Sequence, residues 1–178
     1  MNSPSDFLGD IVLSIDPGVS IGWARIDVVT ERPLDCGVIN TKKAGWIKEL
    51  IGPMNCSDFL IIEDQYLHVD TRKGGKKKQN PNTVIKQAAK RGAIEMLWAI
   101  TKNLNLGGRR ELANPKRWQS SLGIPVTAGR EAVKRASQRQ ACILTRMQEL
   151  PQDVADAISQ GTAIIRRLKT SRRERRGL

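Results

Sequence analysis

Residues 11–22 read IVLSIDPGVSIG. Val12, Leu13 and Ile15 make an apolar strand that carries one carboxylate, Asp16, at its far end; Asp16-Pro17-Gly18 is then a tight turn into a second strand over 22–29. A carboxylate in an apolar strand is costly to bury unless its charge is offset. Asp16 therefore either caps the Pro-Gly turn or faces a cation, and the remaining acids of the chain bear on the choice.

Working outward, LDCGVINT at 34–41 has strand composition and a short connection to the second strand, which predicts an antiparallel three-strand meander. The spacing predicts a short helix over 44–51 that ends before Gly52-Pro53. FLIIE at 59–63 is a continuous apolar run of the kind buried on both faces. Because it follows a helix, a right-handed crossover lays it parallel to a strand already in the sheet, and beside the first strand it brings Glu63 close to Asp16.

Between 72 and 78 the chain holds five Lys/Arg, namely Arg72, Lys73, Lys76, Lys77 and Lys78, with two glycines, and reads as a mobile basic loop placed to hold phosphates near the acids. Asn80-Pro81 starts a long helix with Ile85, Ala89, Ala93, Met96, Ile100 and Leu104 as its apolar stripe, expected against one sheet face. Residues 111–113 suggest a fifth strand, and Asn114-Pro115 opens a brief helix through Trp118. The helix from Thr127 has Arg130, Lys134, Arg135, Arg139 and Arg146 on a polar side, mostly a solvated face. Ala132, Val133, Ala136, Ile143, Leu144 and Met147 form the side expected inside.

Pro151 starts the last helix, PQDVADAISQGTAIIRR, in which Asp153 and Asp156 share a face. Asp153 has a second reading as a cap or dipole partner; Asp156, flanked by Ala155, Ala157 and Ile158, is harder to explain without a cation. Residues 166–178 hold seven Lys/Arg and read as a frayed basic end, so the division expected is one domain over 1–168 and a basic C-terminal tail over 169–178.

The 178 residues suffice for one domain with a substantial core. A net charge of +12 points to a polyanionic partner, nucleic acid before an anionic membrane surface. No apolar run approaches the roughly 20 residues that span a bilayer, and the first residues lack a signal-peptide pattern, so a cytoplasmic protein with no membrane partner is expected. Cys36, Cys56 and Cys142 are scattered without a CxxC pair, which argues against a zinc site or disulfide framework. His68, the single histidine, is too little for a transition-metal site.

Four motifs, IDPG at 15–18 followed by Gly22, IIEDQY at 61–66, KQAAKRGAI at 86–94 and LPQDVADAI at 150–158, occur in an order and spacing that resemble the RuvC-type Holliday-junction resolvases of the ribonuclease H-like superfamily. The resemblance implies an α/β fold: a five-stranded mixed sheet, antiparallel meander plus parallel strands, flanked by helices. It places the family's catalytic, metal-binding acids on Asp16, Glu63, Asp153 and Asp156. Hard oxygen ligands suit two Mg²⁺ ions, with Mn²⁺ as a substitute, in the in-line hydrolysis of a phosphodiester to 5′-phosphate and 3′-hydroxyl ends. It further implies a homodimer that nicks four-way DNA junctions symmetrically in recombination and repair, with a relaxed debranching nuclease acting on forks, flaps or replication intermediates as the alternative. Tyr66 would stack on bases at the junction centre, or else pack beneath the loop. Lys116 and Arg117, or Lys134 and Arg135, stand where basic residues near the active site are expected. A non-catalytic DNA-binding protein has no use for four acids in a basic chain, and an actin-like ATPase needs a second lobe.

Overall fold

The structure, a computed structural model, describes residues 9–64, 81–103, 109–121, 123 and 129–175. Five strands form one sheet in the order β3-β2-β1-β4-β5: β1 (Ile11–Asp16), β2 (Ile21–Asp27), β3 (Pro33–Ile39), β4 (Phe59–Glu63) and β5 (Arg110–Ala113). The first three are the expected antiparallel meander, and β4 and β5 join parallel to β1 and to each other. β1 and β4 lie inside the sheet with both faces covered, which is why their apolar residues run unbroken instead of alternating.

Register and pleat together place the acids. Ile15 lies opposite Ile62, so Asp16 and Glu63, one residue further on, end neighbouring strands side by side. Side chains alternate along a strand, so Asp16 and Glu63 share a sheet face with Val12, Phe59 and Ile61. These three belong to a core cluster completed by Val154, Ile158 and Ile165 of the last helix, α5 (Gln152–Arg175). The opposite face, with Leu13, Ile15, Leu60 and Ile62, is covered by Leu50, Met54 and two residues of α2 (Pro81–Thr101), Ile94 and Trp98.

Three helices depart from expectation. The segment read as a helix stopping before Gly52-Pro53 is a 3-10 turn over Trp46–Leu50 followed by α1 (Ile51–Asn55), which includes both residues. Pro53 falls in the first turn of α1, where a backbone N–H has no helical partner to lose. In α2 the expected stripe faces outward: Ile85, Met96 and Ile100 are 64%, 49% and 69% exposed, while Ile94 and Trp98 are buried. Trp98 and Ile94 join the core cluster with Leu50, Met54, Leu13 and Leu60, and these two buried side chains set the rotation of the helix. In α4 (Gly129–Thr145), which follows the short α3 (Pro115–Ser121), the buried residues are Ser137 and Ala141, with Leu144 packed against the core. Ile143 and Met147, expected inside, are exposed. Small side chains at 137 and 141 let α4 lie close against α5.

The helix α5 does not fray at its basic end but continues to Arg175, and Glu31 receives Arg166 at 2.6 Å and Lys169 at 2.9 Å. No helix among the described residues is long and apolar enough to cross a membrane.

The approach of α5 to the sheet rests on two glycines. A Cβ at Gly22, the partner of Asp16 across β1 and β2, would overlap the backbone carbonyl of Asp153; one at Gly161 would run into Ser14 and Ile26. Gly22→Ala is expected to cost about 2–3 kcal/mol, because the obstacle is main chain that cannot rotate away. Gly52→Ala, with nothing nearby for its methyl group to meet, should stay within about 0.5 kcal/mol of the parent. Urea unfolding of the two variants checks the contrast.

Candidate functional site

The four predicted acids are brought to one edge of one sheet face. Asp16 and Glu63 come from the carboxyl ends of β1 and β4, and Asp153 and Asp156 from the first turns of α5, which Gly22 admits beside them. Asp16 and Glu63 share a side-chain hydrogen bond. Burial, followed by the charges of Glu63, Asp156 and Asp153, holds the Asp16 carboxyl well above the usual carboxylate range. Glu63 is pushed up to about 7, chiefly by burial, with the charge of Asp156 adding to it. Two carboxyls raised in this way side by side call for a proton or a cation to offset their charge.

Asp156 is held differently. Its Oδ1 accepts from the Ser137 hydroxyl and, at 2.8 Å, from Gln152 Nε2, and Gln152 also reaches Ser137 Oγ at 3.0 Å. Burial raises the Asp156 carboxyl, these bonds oppose the rise, and the nearby Asp153 charge adds to it. Asp153 is raised by burial, with Lys134 opposing.

Several residues that complete the site had no role assigned from sequence. The indole N–H of Trp118 donates to Glu63 Oε1 at 3.1 Å and is the largest influence holding that carboxyl down. Asn114 sets α3 in place to present it, accepting the Lys116 N–H at 3.0 Å. Lys90 Nζ donates to Gly18 O at 2.9 Å and Val19 O at 3.2 Å, tying α2 to the turn behind Asp16. Of these, Gln152 was legible in principle, since it lies one helical turn before Asp156. Trp118, Ser137 and Lys90 act across long sequence separations and leave no local signal.

Among the basic candidates, Lys134 is close enough to lower the carboxyls of both Asp153 and Asp156. Arg135 is exposed further along α4, and Lys116 and Arg117 are exposed at the start of α3, where neither forms an ion pair with another described residue. Tyr66, Arg72, Lys73, Lys76, Lys77 and Lys78 lie outside the described residues, as does His68.

As the side chains lie, no group of three or more His, Cys, Asp or Glu among the described residues is gathered tightly enough to hold a metal ion. Asp16 is turned to Glu63, and Asp156 to Ser137 and Gln152. The donor chemistry nonetheless suits a hard divalent cation: all oxygen, raised in pKa first by burial and, for Asp16, Glu63 and Asp156, by neighbouring carboxylates as well.

No protein-family model and no curated protein sequence matches the chain. The fold is the ribonuclease H-like one that RuvC structures share. The Thermus thermophilus RuvC structure aligns at a TM-score of 0.58 and 17% identity, covering 90% of this chain and 96% of that one. T. thermophilus RuvC in complex with a Holliday junction substrate aligns at 0.55 and 19%, covering 86% and 90%. At such identities the likeness is one of fold.

A carboxyl raised on folding binds its proton more tightly in the native state, so it contributes stability that is complete below its unfolded pKa and is lost as pH rises through the folded one. For Glu63 that window runs from 4.5 to about 7, and the raised Asp16 acts in the same direction. The melting temperature of metal-free protein is therefore expected to fall between pH 5 and pH 8, and Mg²⁺ or Mn²⁺ should recover most of the loss at pH 8. Asp16→Asn should flatten the profile and abolish the metal-induced gain. Calorimetry with and without EDTA measures both; a flat profile in the parent protein would remove the charge conflict from the site.

Proposed function

We propose that the protein is a divalent-metal-dependent endonuclease of the RuvC type that nicks branched DNA, four-way junctions before other structures. One observation carries the reading: in a chain of net charge +12, the fold gathers four carboxylates at one edge of the sheet, where their charges conflict unless a cation is present. Asp16, Glu63, Asp153 and Asp156 are the residues that would hold Mg²⁺, or Mn²⁺ in its place. When bound, such ions supply Lewis-acid stabilisation for the in-line displacement of a phosphodiester by water. The chain's own part is orientation. Trp118 fixes Glu63, Ser137 and Gln152 fix Asp156, and Lys134 brings positive charge beside the aspartate pair, where a phosphate oxygen must approach. The basic loop and Tyr66 are proposed to meet the junction, with the tyrosine ring stacking on bases freed at its centre.

Paired nicks call for two sites related by two-fold symmetry. The outward stripe of α2 suits a second copy of this chain: Ile85, Met96 and Ile100 are exposed, with Ala89 and Ala93 between them small enough for two helices to approach closely. Ile85→Glu combined with Ile100→Glu should yield a monomer by analytical ultracentrifugation with its melting temperature nearly unchanged. A variant that remained dimeric would move the interface elsewhere.

Labelled four-way junction, Y-fork and linear duplex of equal length, each incubated with Mg²⁺, Mn²⁺ or EDTA, test the activity itself. Metal-dependent paired nicks in the junction alone are expected. Cutting of forks and flaps at a similar rate would favour the relaxed debranching enzyme, and cleavage that persists in EDTA would sink the metal-dependent reading. Asp16→Asn, Glu63→Gln and Asp156→Asn should each remove cleavage while junction binding survives or tightens, with Asp153→Asn the mildest; loss of binding and folding together would make the acids structural.

A further inference from the structure

Several basic side chains of the described surface are answered by carboxylates: Arg25 by Asp35, Arg91 by Asp64, Arg110 by Glu95, Arg167 by Glu111, and Arg166 and Lys169 by Glu31. The outer face of α4 differs in gathering its cations onto one groove. Lys134, Arg135, Arg139 and Arg146 open onto one groove of about 1080 Å³, in which Glu131 is the one carboxylate. Lys134 meets Glu131 at 3.5 Å, a long and exposed contact, and the three arginines form no ion pair with another described residue. From 134 to its end at Thr145 the helix advances about 17 Å; residues 135 and 139 lie one turn apart on one face, and Arg146, just past the helix end with a φ of 60°, lines the same groove.

The groove leads to the acids. Gln152, which lines it, is the residue that donates to Asp156 Oδ1, and the charge of Lys134 reaches both Asp153 and Asp156. Between the cations the wall is apolar, formed by Ile143 and Met147, both exposed. A compact anion would use one cation; a line of cations about 17 Å long with apolar ground between them fits an extended polyanion, about five phosphates of one strand at 3.4 Å of helix axis each.

We propose that this groove holds the sugar-phosphate backbone of the DNA arm that flanks the scissile phosphate, with Arg139 and Arg146 taking phosphates successively farther from Asp156. The proposal rests on the nuclease reading for the position of the scissile phosphate, but not for the presence of a phosphate track. Arg139 and Arg146 then set how the arm leaves the site and take no part in the chemistry.

Full-length Arg139→Ala/Arg146→Ala and Arg139→Lys/Arg146→Lys, checked for parent-like folding by circular dichroism, are compared with the parent in binding four-way junction and duplex across a salt series in EDTA. Two lost phosphate contacts should reduce the slope of log K against log salt by about 1.8. The lysine pair should restore the slope, and phosphate-ethylation interference should lose a patch to one side of the cut position. An unchanged slope with an unchanged interference pattern overturns the proposal and leaves the groove to another ligand, such as an acidic protein segment. The two readings fail separately: a parent protein that never cleaves with metal, yet shows the slope change, removes the nuclease reading and keeps the phosphate track.

Discussion

The contact between Asp16 and Glu63 is the constraint on which the rest of the structure turns. Two parallel strands in register, each ending in an acid on the same face, force like charges together at a place the core has partly sealed from water. Such an arrangement persists only with a proton or a cation between the groups. In the proposed nuclease, protons and divalent metal would compete for this pair, and pH would decide between them.

Around that contact the molecule works as a positioning device. Gly22 and Gly161 let α5 lie almost on the strands, so that Asp153 and Asp156 reach the same edge as the strand acids. Trp118 and the Ser137–Gln152 pair each commit one carboxylate oxygen to the protein, Oε1 of Glu63 and Oδ1 of Asp156. Each of those carboxylates has a second oxygen free of these bonds. The cost of burying so much negative charge is spread over neutral donors, and Lys134 is the cation that acts on both aspartates.

Charge is distributed just as unevenly outside the site. Carboxylates neutralise the cations that brace helices against the sheet, as Glu31 does for the end of α5, and leave unneutralised those facing the groove on α4. The groove thus gathers Lys134, Arg135, Arg139 and Arg146 where a polyanion could lie against the acids.

The sequence by itself determined the antiparallel meander and a parallel fourth strand, because a Pro-Gly turn, a short connection and a right-handed crossover leave few alternatives; that this strand lies beside β1, so that Glu63 meets Asp16, and that β5 pairs with it, the tertiary structure decided. The sequence also marked Asp153 and Asp156, whose three-residue spacing shares a helix face whatever the helix packs against. Tertiary structure alone decided how the helices are turned. The apolar stripe of α2 points outward because Ile94 and Trp98, and not Ile100, enter the core; α4 buries Ser137 and Ala141 because α5 demands small neighbours there. Amphipathic periodicity shows that a helix has an apolar side, but when two sides qualify the shape of the partner surface chooses between them. For the same reason Trp118, Ser137 and Lys90 could not be read locally: each acts on a residue tens of positions away in the chain, or, for Ser137, on a neighbouring helix, and only the packed fold brings them together.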